Sequence, residues 1–265
     1  DGRVFDAGDA YAGFSLMSVA KPFTFALVCG HLGAERARAE LGVNATGQPF
    51  NAVAPVLAAV GGRTNPMVNA GAIATCSRLP GAGLEAQWTH LLAGLSAFAG
   101  RDLAIDEELY ANVSATNVRN RQIAAALESQ GALASGPDDA LELYTRQSSL
   151  LVTAHDLAVM GATLADGGMN PVTGAQVVPA ELCHHVLAVM ATAGMYERSG
   201  DWLYDVGLPG KSGIGGGIVT VSPGKGGLGS FSPRLDVAGN SVRGVRAAAR
   251  LARDLGLGLF ASRPL

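Results

Sequence analysis

A serine stands three residues ahead of a lysine, Ser18 and Lys21, in the segment FSLMSVAKPF at positions 14–23. Pro22 has no N–H group and is tolerated in the first turn of a helix, so the pattern predicts a helix that begins near Ser18. Lys21 would then lie on the same face as Ser18. A lysine desolvated among the neighbouring phenylalanines would have a lowered pKa and could take the serine proton. The spacing predicts an activated serine nucleophile; the plain alternative is an N-cap serine followed by a lysine that faces solvent.

A second motif lies far along the chain, where Lys211, Ser212 and Gly213 enter the segment VGLPGKSGIGGGIVTVSPG. Together, S-x-x-K and K-[ST]-G form the serine acyl-enzyme arrangement of penicillin-binding proteins and serine β-lactamases. The glycines that follow allow a substrate to approach the backbone closely. The N–H groups of Ile214 and Ser18 are therefore predicted to form an oxyanion hole.

Two completions of this site are open from the motifs. The tripeptide YAN at 110–112 looks like the middle motif of class C β-lactamases, in which a tyrosine accepts a proton. With this motif, Tyr110 would be the proton acceptor in the active site of a penicillin-recognising serine hydrolase. The other completion depends on longer segments, described below.

The elements that must position these residues follow a simple order along the chain. A strand and turn around Val4 and Phe5 lead into a helical block from Ser18 to about Arg198. Two short β-rich runs, GIVTVSP and GGLGSFSP, and a helix from about Gly239 come after it. This order predicts an α+β fold with an antiparallel sheet assembled from both chain ends. We expect a single catalytic domain over residues 1–265, with a sheet lobe at about 1–16 and 205–262, a helical lobe at about 18–200, and the site between them.

Composition excludes several classes of function. The chain has 265 residues, and Lys+Arg 19 against Asp+Glu 22 leaves a formal charge of -3, so no nucleic-acid partner is expected. No apolar run has the length of a membrane span, and no membrane partner is expected. Three cysteines without paired spacing favour a reduced, cytoplasmic protein, and the histidines show no metal-ligand spacing, so no metal site is expected.

Longer segments carry a family resemblance from about Gly2 to Leu257. In chain order they are GQPFNAV, NPMVNAGAIAT, RNRQIAAAL, DLAVMGATLADGGMNPVTG, ATAGMYERSGDW, VGLPGKSGIGGGI and FSPRLDVAGNSVRG. These segments resemble the serine-dependent glutaminases. The resemblance implies a β-lactamase-like fold with a helical subdomain, and hydrolysis of L-glutamine to L-glutamate and ammonia through a γ-glutamyl-serine intermediate. It also implies a homodimer or homotetramer, and no cofactor.

The resemblance assigns roles to individual residues by motif. Ser18 would be the nucleophile and Lys21 its activating partner, with Tyr196 of GMYERSG as a second proton-transfer group. Three further residues would bind the amino-acid head of the substrate: Asn69, Asn120 and Tyr144. Asparagine suits this role because its amide both donates and accepts hydrogen bonds.

One position departs from the family pattern. Val113 stands where the family usually carries a glutamate that binds the α-ammonium group of the substrate. Loss of one partner of a desolvated ion pair costs roughly 2–5 kcal/mol, which corresponds to tens to thousands of fold in affinity. Two hypotheses follow: a glutaminase with weakened or altered choice among L-glutamine and related amides, or a degenerate member that binds an amino acid without turnover.

Overall fold

The structure is a computed structural model that describes residues 2–262. Helices form most of it, and the strands are short. In chain order the elements are β1 (Phe14–Ser15), α1 (Ala20–Leu32), α2 (Ala34–Leu41), α3 (Ala54–Ala58), α4 (Asn69–Cys76), α5 (Leu84–Ala99), α6 (Glu107–Thr116), α7 (Val118–Ser129), α8 (Pro137–Ser148), β2 (Leu151–Val152), α9 (Ala154–Ala165), α10 (Ala180–Ala193), α11 (Ser199–Val206), β3 (Gly210–Ser212), β4 (Gly217–Ser222), β5 (Gly226–Phe231) and α12 (Val242–Asp254). Single 3-10 turns at Met17–Val19, Val60–Gly62 and Tyr196–Arg198 complete this order.

The main sheet is antiparallel, with three strands in the order β3-β4-β5. All of β4 is buried, because neighbouring elements cover both of its faces. Side chains alternate across a strand: Val219 and Val221 join the large core, whereas Ile218 joins a smaller cluster with residues of α11 and α12. The two predicted β-rich runs and the terminal helix are therefore confirmed, and so is the α+β class.

The N-terminal segment differs from the expectation. Val4 and Phe5 form no strand; their side chains are exposed, and no neighbouring strand pairs with them. The first strand, β1, pairs with β2 in a separate sheet instead of joining β3-β4-β5. It contacts the main sheet through side chains, since the ring of Phe14 stacks on Phe231 with centroids 4.1 Å apart. β1 is short because the chain turns directly into Met17–Val19 after it.

The larger core fills the helical part of the molecule. Its fully buried side chains include Phe23 and Phe98, whose rings lie 5.0 Å apart and join α1 to α5. The same core reaches the sheet through Leu157 of α9. This packing fixes α1 in the middle of the protein. Among the described residues, no helix has both the length and the apolar character needed to span a bilayer.

Candidate active site

Ser18 lies in the 3-10 turn Met17–Val19, which continues directly into α1. The helix thus begins two residues later than the serine, and Ser18 belongs to the tighter turn that precedes it. Met17 has a φ of 47°, a left-handed conformation that is uncommon for a side chain of this size. Ser18 is buried, with 6% of its surface exposed. The turn therefore holds the hydroxyl inside the protein.

Lys21 is fully buried in the first turn of α1, one turn after Ser18. Its amine donates to Asn69 Oδ1 at 2.7 Å and to the Met67 carbonyl oxygen at 3.4 Å. Burial lowers the pKa of Lys21 to about 7. The alternative prediction, that Lys21 faces solvent, is thus wrong. At pH 7 a substantial share of the amine is neutral and able to accept a proton.

Amide and hydroxyl groups extend the network from Lys21. Tyr144 of α8 also donates to Asn69 Oδ1, at 3.1 Å. Asn69 Nδ2 donates to Asn120 Oδ1 at 2.9 Å, and Asn120 donates to Asn117 at 2.6 Å. Within residues 2–262 no carboxylate is hydrogen-bonded to these side chains. The network supplies neutral donors and acceptors for a polar ligand, but no negative charge.

Tyr196, in the turn Tyr196–Arg198, is a further group next to the serine. Its hydroxyl donates to the Ser212 carbonyl oxygen at 3.0 Å, and its φ of 57° is left-handed. Burial raises its pKa, while hydrogen bonds from Ser18 and from the Ile214 N–H act in the opposite direction. The pKa of Tyr144 is likewise raised by burial and lowered by a hydrogen bond with Ser18. Both phenols are therefore neutral at pH 7 and next to the serine.

Lys211 is the second buried lysine of the site. Its amine donates to the Gly194 carbonyl oxygen at 2.9 Å and to the Ser212 carbonyl oxygen at 2.5 Å, and it lies 4.3 Å from the centre of the Tyr196 ring. Burial, and secondarily the nearby Lys21, hold its pKa well below the usual range. The K-S-G motif thus packs against the tyrosine and is not solvent-facing.

Glycines in the loop after β3 allow it to touch the serine turn. A Cβ at Gly213 would lie 3.0 Å from Val19 Cγ2 and 3.2 Å from the Leu16 carbonyl oxygen. A Cβ at Gly215 would lie 2.7 Å from the Ser15 carbonyl oxygen. Ile214, between them, is half exposed. The loop consequently lies against the turn that contains Ser18.

The structure brings the predicted residues together from separate elements. Three residues near the site could not be identified from the sequence. Asn117 looks like an ordinary cap before α7. The Phe50 ring lies 4.5 Å from that of Tyr196, and Glu197 accepts the Phe50 N–H at 3.1 Å. Tyr110 does not join the network, because its hydroxyl bonds to Glu142. Val113 is half-buried on α6, one turn before Asn117.

A cavity of about 240 Å³ adjoins Tyr196, Phe50 and Glu197. Its size suits a small polar molecule such as an amino acid. A larger, more open cavity of about 490 Å³ lies beside Arg38 and Arg63 and includes none of the predicted site residues. Of the predicted site residues, only Tyr196 lines the smaller cavity.

Comparisons with known proteins agree with this geometry. The glutaminase family model matches residues 1–260. The chain is 60% identical to Glutaminase 2 of Yersinia pestis, over 100% of this chain and 78% of that protein. It is 49% identical to a glutaminase of Mycobacterium ulcerans, over 98% of this chain and 81% of that protein.

Solved structures give the same result. A probable glutaminase, ybaS, superposes with a TM-score of 0.96 at 43% identity, over 98% of this chain and 84% of that one. A Bacillus glutaminase superposes with a TM-score of 0.92 at 32% identity, over 96% of this chain and 87% of that one. These matches confirm the β-lactamase-like fold. The chain belongs to the glutaminase family of amidohydrolases.

Proposed function

We propose that this protein hydrolyses the side-chain amide of L-glutamine through an ester of Ser18. The observation that carries the proposal is the burial of Lys21 one turn after Ser18, with a pKa of about 7. A neutral amine in that place is the base that a serine nucleophile needs. Tyr196, which hydrogen-bonds with Ser18 and with the Ile214 N–H, supports the same reaction.

The first half of the reaction forms the ester. Lys21 takes the hydroxyl proton as Ser18 Oγ bonds to the amide carbon, and the N–H groups of Ser18 and Ile214 hold the negative oxygen. The carbon–nitrogen bond then breaks, and the nitrogen leaves as ammonia with a proton from Lys21 or Tyr196. Tyr196 suits this donation because burial keeps its phenol neutral.

The second half releases the acid. Water loses a proton to the same groups and attacks the ester carbon, and Ser18 Oγ regains a proton as the bond to it breaks. The products are glutamate and the free enzyme. Lys21 ends in its starting state, so no other reactant is required.

The substrate head would contact the neutral network of Asn69, Asn120 and Tyr144, whose connected hydrogen bonds support this role. Val113 leaves the α-ammonium group without the carboxylate that the family pattern provides there. We therefore infer weak binding of L-glutamine with the chemical groups intact.

The test is ammonia release from L-glutamine at millimolar concentration by wild type, Ser18→Ala and Val113→Glu. We expect activity in wild type, none in Ser18→Ala, and a KM lowered by roughly tenfold or more in Val113→Glu, since an ion pair is restored. If wild type and Val113→Glu both release no ammonia, the glutaminase proposal is wrong and binding without turnover replaces it.

We further infer that the protein acts in the cytoplasm as a single two-lobed catalytic domain, assembled as a homodimer or homotetramer. The three cysteines are buried and unpaired, which supports a reducing compartment. Light scattering coupled to size exclusion tests the assembly: a mass of about 27 kDa, that of one chain, would contradict it.

A further inference from the structure

Tyr196 occupies a backbone conformation that its own side chain does not favour. Its φ of 57° is uncommon for an aromatic residue, and such conformations persist when the surroundings enforce them. The turn itself supplies one restraint, because Ser199 Oγ donates to the Tyr196 carbonyl oxygen at 2.8 Å. The ring contacts Phe50 and Lys211 on other sides. Another segment, remote in sequence, completes this enclosure.

That segment is the turn of residues 235–241, called here the 235–241 turn. A β-bridge between Leu235 and Ser241 closes it. Inside it, Asp236 Oδ1 accepts the N–H of Ala238 and the N–H of Asn240, both at 2.9 Å. The backbone adds a bond from the Asp236 N–H to the Asn240 carbonyl oxygen at 2.8 Å. A single carboxylate oxygen thus organises the turn.

The 235–241 turn lies against both groups that face Ser18. At Gly239, whose φ is 100°, the Cβ position is 3.5 Å from Tyr196 Cε2 and 3.3 Å from Ile214 Cγ2. Asn240 is fully buried, and its Nδ2 donates to the Met195 carbonyl oxygen at 3.4 Å, next to Tyr196 in the chain. Movement of this turn would therefore release the phenol and the loop of the oxyanion hole together.

We propose that Asp236 is a positioning residue for Tyr196 and Ile214, acting through the 235–241 turn. This inference rests on the proposed function, in which both groups serve the reaction. The acceptor oxygen, and not the negative charge, carries the role. The ion pair of Asp236 Oδ2 with Arg198 is long, at 3.9 Å, and half-exposed, so its loss has little effect.

The experiment compares Asp236→Ala with Asp236→Asn, whose amide oxygen can accept the same two N–H groups. Val237→Ala is the matched control, because this neighbouring side chain is 96% exposed. We expect Asp236→Ala to lower kcat by about 10- to 100-fold with little change in KM, since small displacements of catalytic groups have costs of this size. Asp236→Asn and Val237→Ala should remain within about threefold of wild type.

A readout independent of turnover is ¹⁹F NMR of protein labelled with 3-fluorotyrosine. The chain has five tyrosines, and Tyr196→Phe assigns the Tyr196 resonance by its disappearance. Asp236→Ala should shift or broaden that resonance, whereas Asp236→Asn and Val237→Ala should leave it in place. If Asp236→Ala does not fold, Gly239→Ala replaces it: a methyl group directed at Tyr196 and Ile214 should move the same resonance and lower kcat.

The outcomes separate the two proposals. Absence of ammonia release from both wild type and Val113→Glu would overturn the proposed function, and the NMR comparison would still test the turn. An unchanged Tyr196 resonance and unchanged kcat in Asp236→Ala would overturn the positioning role while the glutaminase reaction stands. Equal losses in Asp236→Asn and Asp236→Ala would also overturn it, because charge would then matter and not the acceptor.

Discussion

Lys21 and Lys211 are both fully buried, and neither forms an ion pair within residues 2–262. An ammonium group without a carboxylate partner is poorly stabilised inside a protein, so burial favours the neutral amine. Carbonyl and amide oxygens accept the amine hydrogens instead. The result is a pair of weakly basic amines, and Lys21 lies near enough to Lys211 for its charge to lower the Lys211 pKa further.

The pH dependence of activity follows from Lys21. Its pKa of about 7 means that the amine is protonated below pH 7 and neutral above it. Since only the neutral amine can accept the Ser18 proton, kcat/KM should rise with pH through a midpoint near 7. Initial rates of ammonia release between pH 5.5 and 9 measure this, and a profile flat over that interval would contradict the assignment of Lys21 as base.

The position of Lys21 one turn after Ser18, at the start of α1, could be predicted from their spacing, because S-x-x-K followed by proline restricts where a helix can begin. The amide network could not be predicted from physical patterns alone. Asn117 and Asn120 look like ordinary cap and helix residues until the fold places Asn69 beside them. Hydrogen bonds between residues far apart in sequence leave no periodic signal, so Asn120 was identified through the family resemblance and Asn117 was not identified at all.

At the scale of elements, β5 and α9 approach unusually closely. A Cβ at Gly229 would overlap the Ala154 carbonyl oxygen, and one at Gly227 would overlap the backbone of Ala162. Glycine has no Cβ, so the strand can lie directly on the helix. The sheet that carries the K-S-G motif depends on this contact for its position.

A pair of glycine substitutions tests this packing. Gly229→Ala should lower the free energy of unfolding by roughly 1–3 kcal/mol or more, because the new methyl group has no space. Gly30→Ala is the matched control: it lies in α1 with nothing near its Cβ position, and alanine there should stabilise the helix by about 0.5–1 kcal/mol. Urea denaturation measures both, and similar values for the two variants would contradict the close contact.

Element types were more predictable than element pairing. The β-branched run of β4 and the apolar face of α12 identify a strand and a helix from local sequence. The partner of β1 could not be found that way, because a strand of two residues carries almost no pattern. At Val4 and Phe5 a strand was predicted that does not form. These residue types favour strands, but no neighbouring strand pairs with them.

The whole molecule assembles one site from a large part of its sequence. Ser18 and Lys21 come from the N-terminal part, Asn69, Asn120 and Tyr144 from the helical middle, and the Ile214 loop from the sheet. Each of these pieces is fixed by packing in a different part of the core. Lys21 and Lys211 are buried in this site, so the free energy of unfolding depends on the protonation of these amines, and the proposed reaction uses that of Lys21.

Global stability should depend on pH for this reason. The pKa of Lys21 falls from 10.5 in the unfolded chain to about 7 in the folded one. Between these values the unfolded chain binds more protons, so stability rises with pH from about 7 to 10.5. Lys21→Met should show a smaller rise than wild type, with Lys211 still contributing. Urea denaturation at pH 7 and pH 9.5 measures the difference, and equal rises in both proteins would refute it.

The most direct measurement is the intact mass of the protein after exposure to a reactive diazoketone analogue of glutamine. We expect one adduct per chain, located on Ser18 by peptide mapping, and slower labelling at low pH because Lys21 becomes protonated. Ser18→Ala should remain unlabelled. An adduct on a different residue, or equal labelling of wild type and Ser18→Ala, would contradict the assignment of Ser18 as the nucleophile.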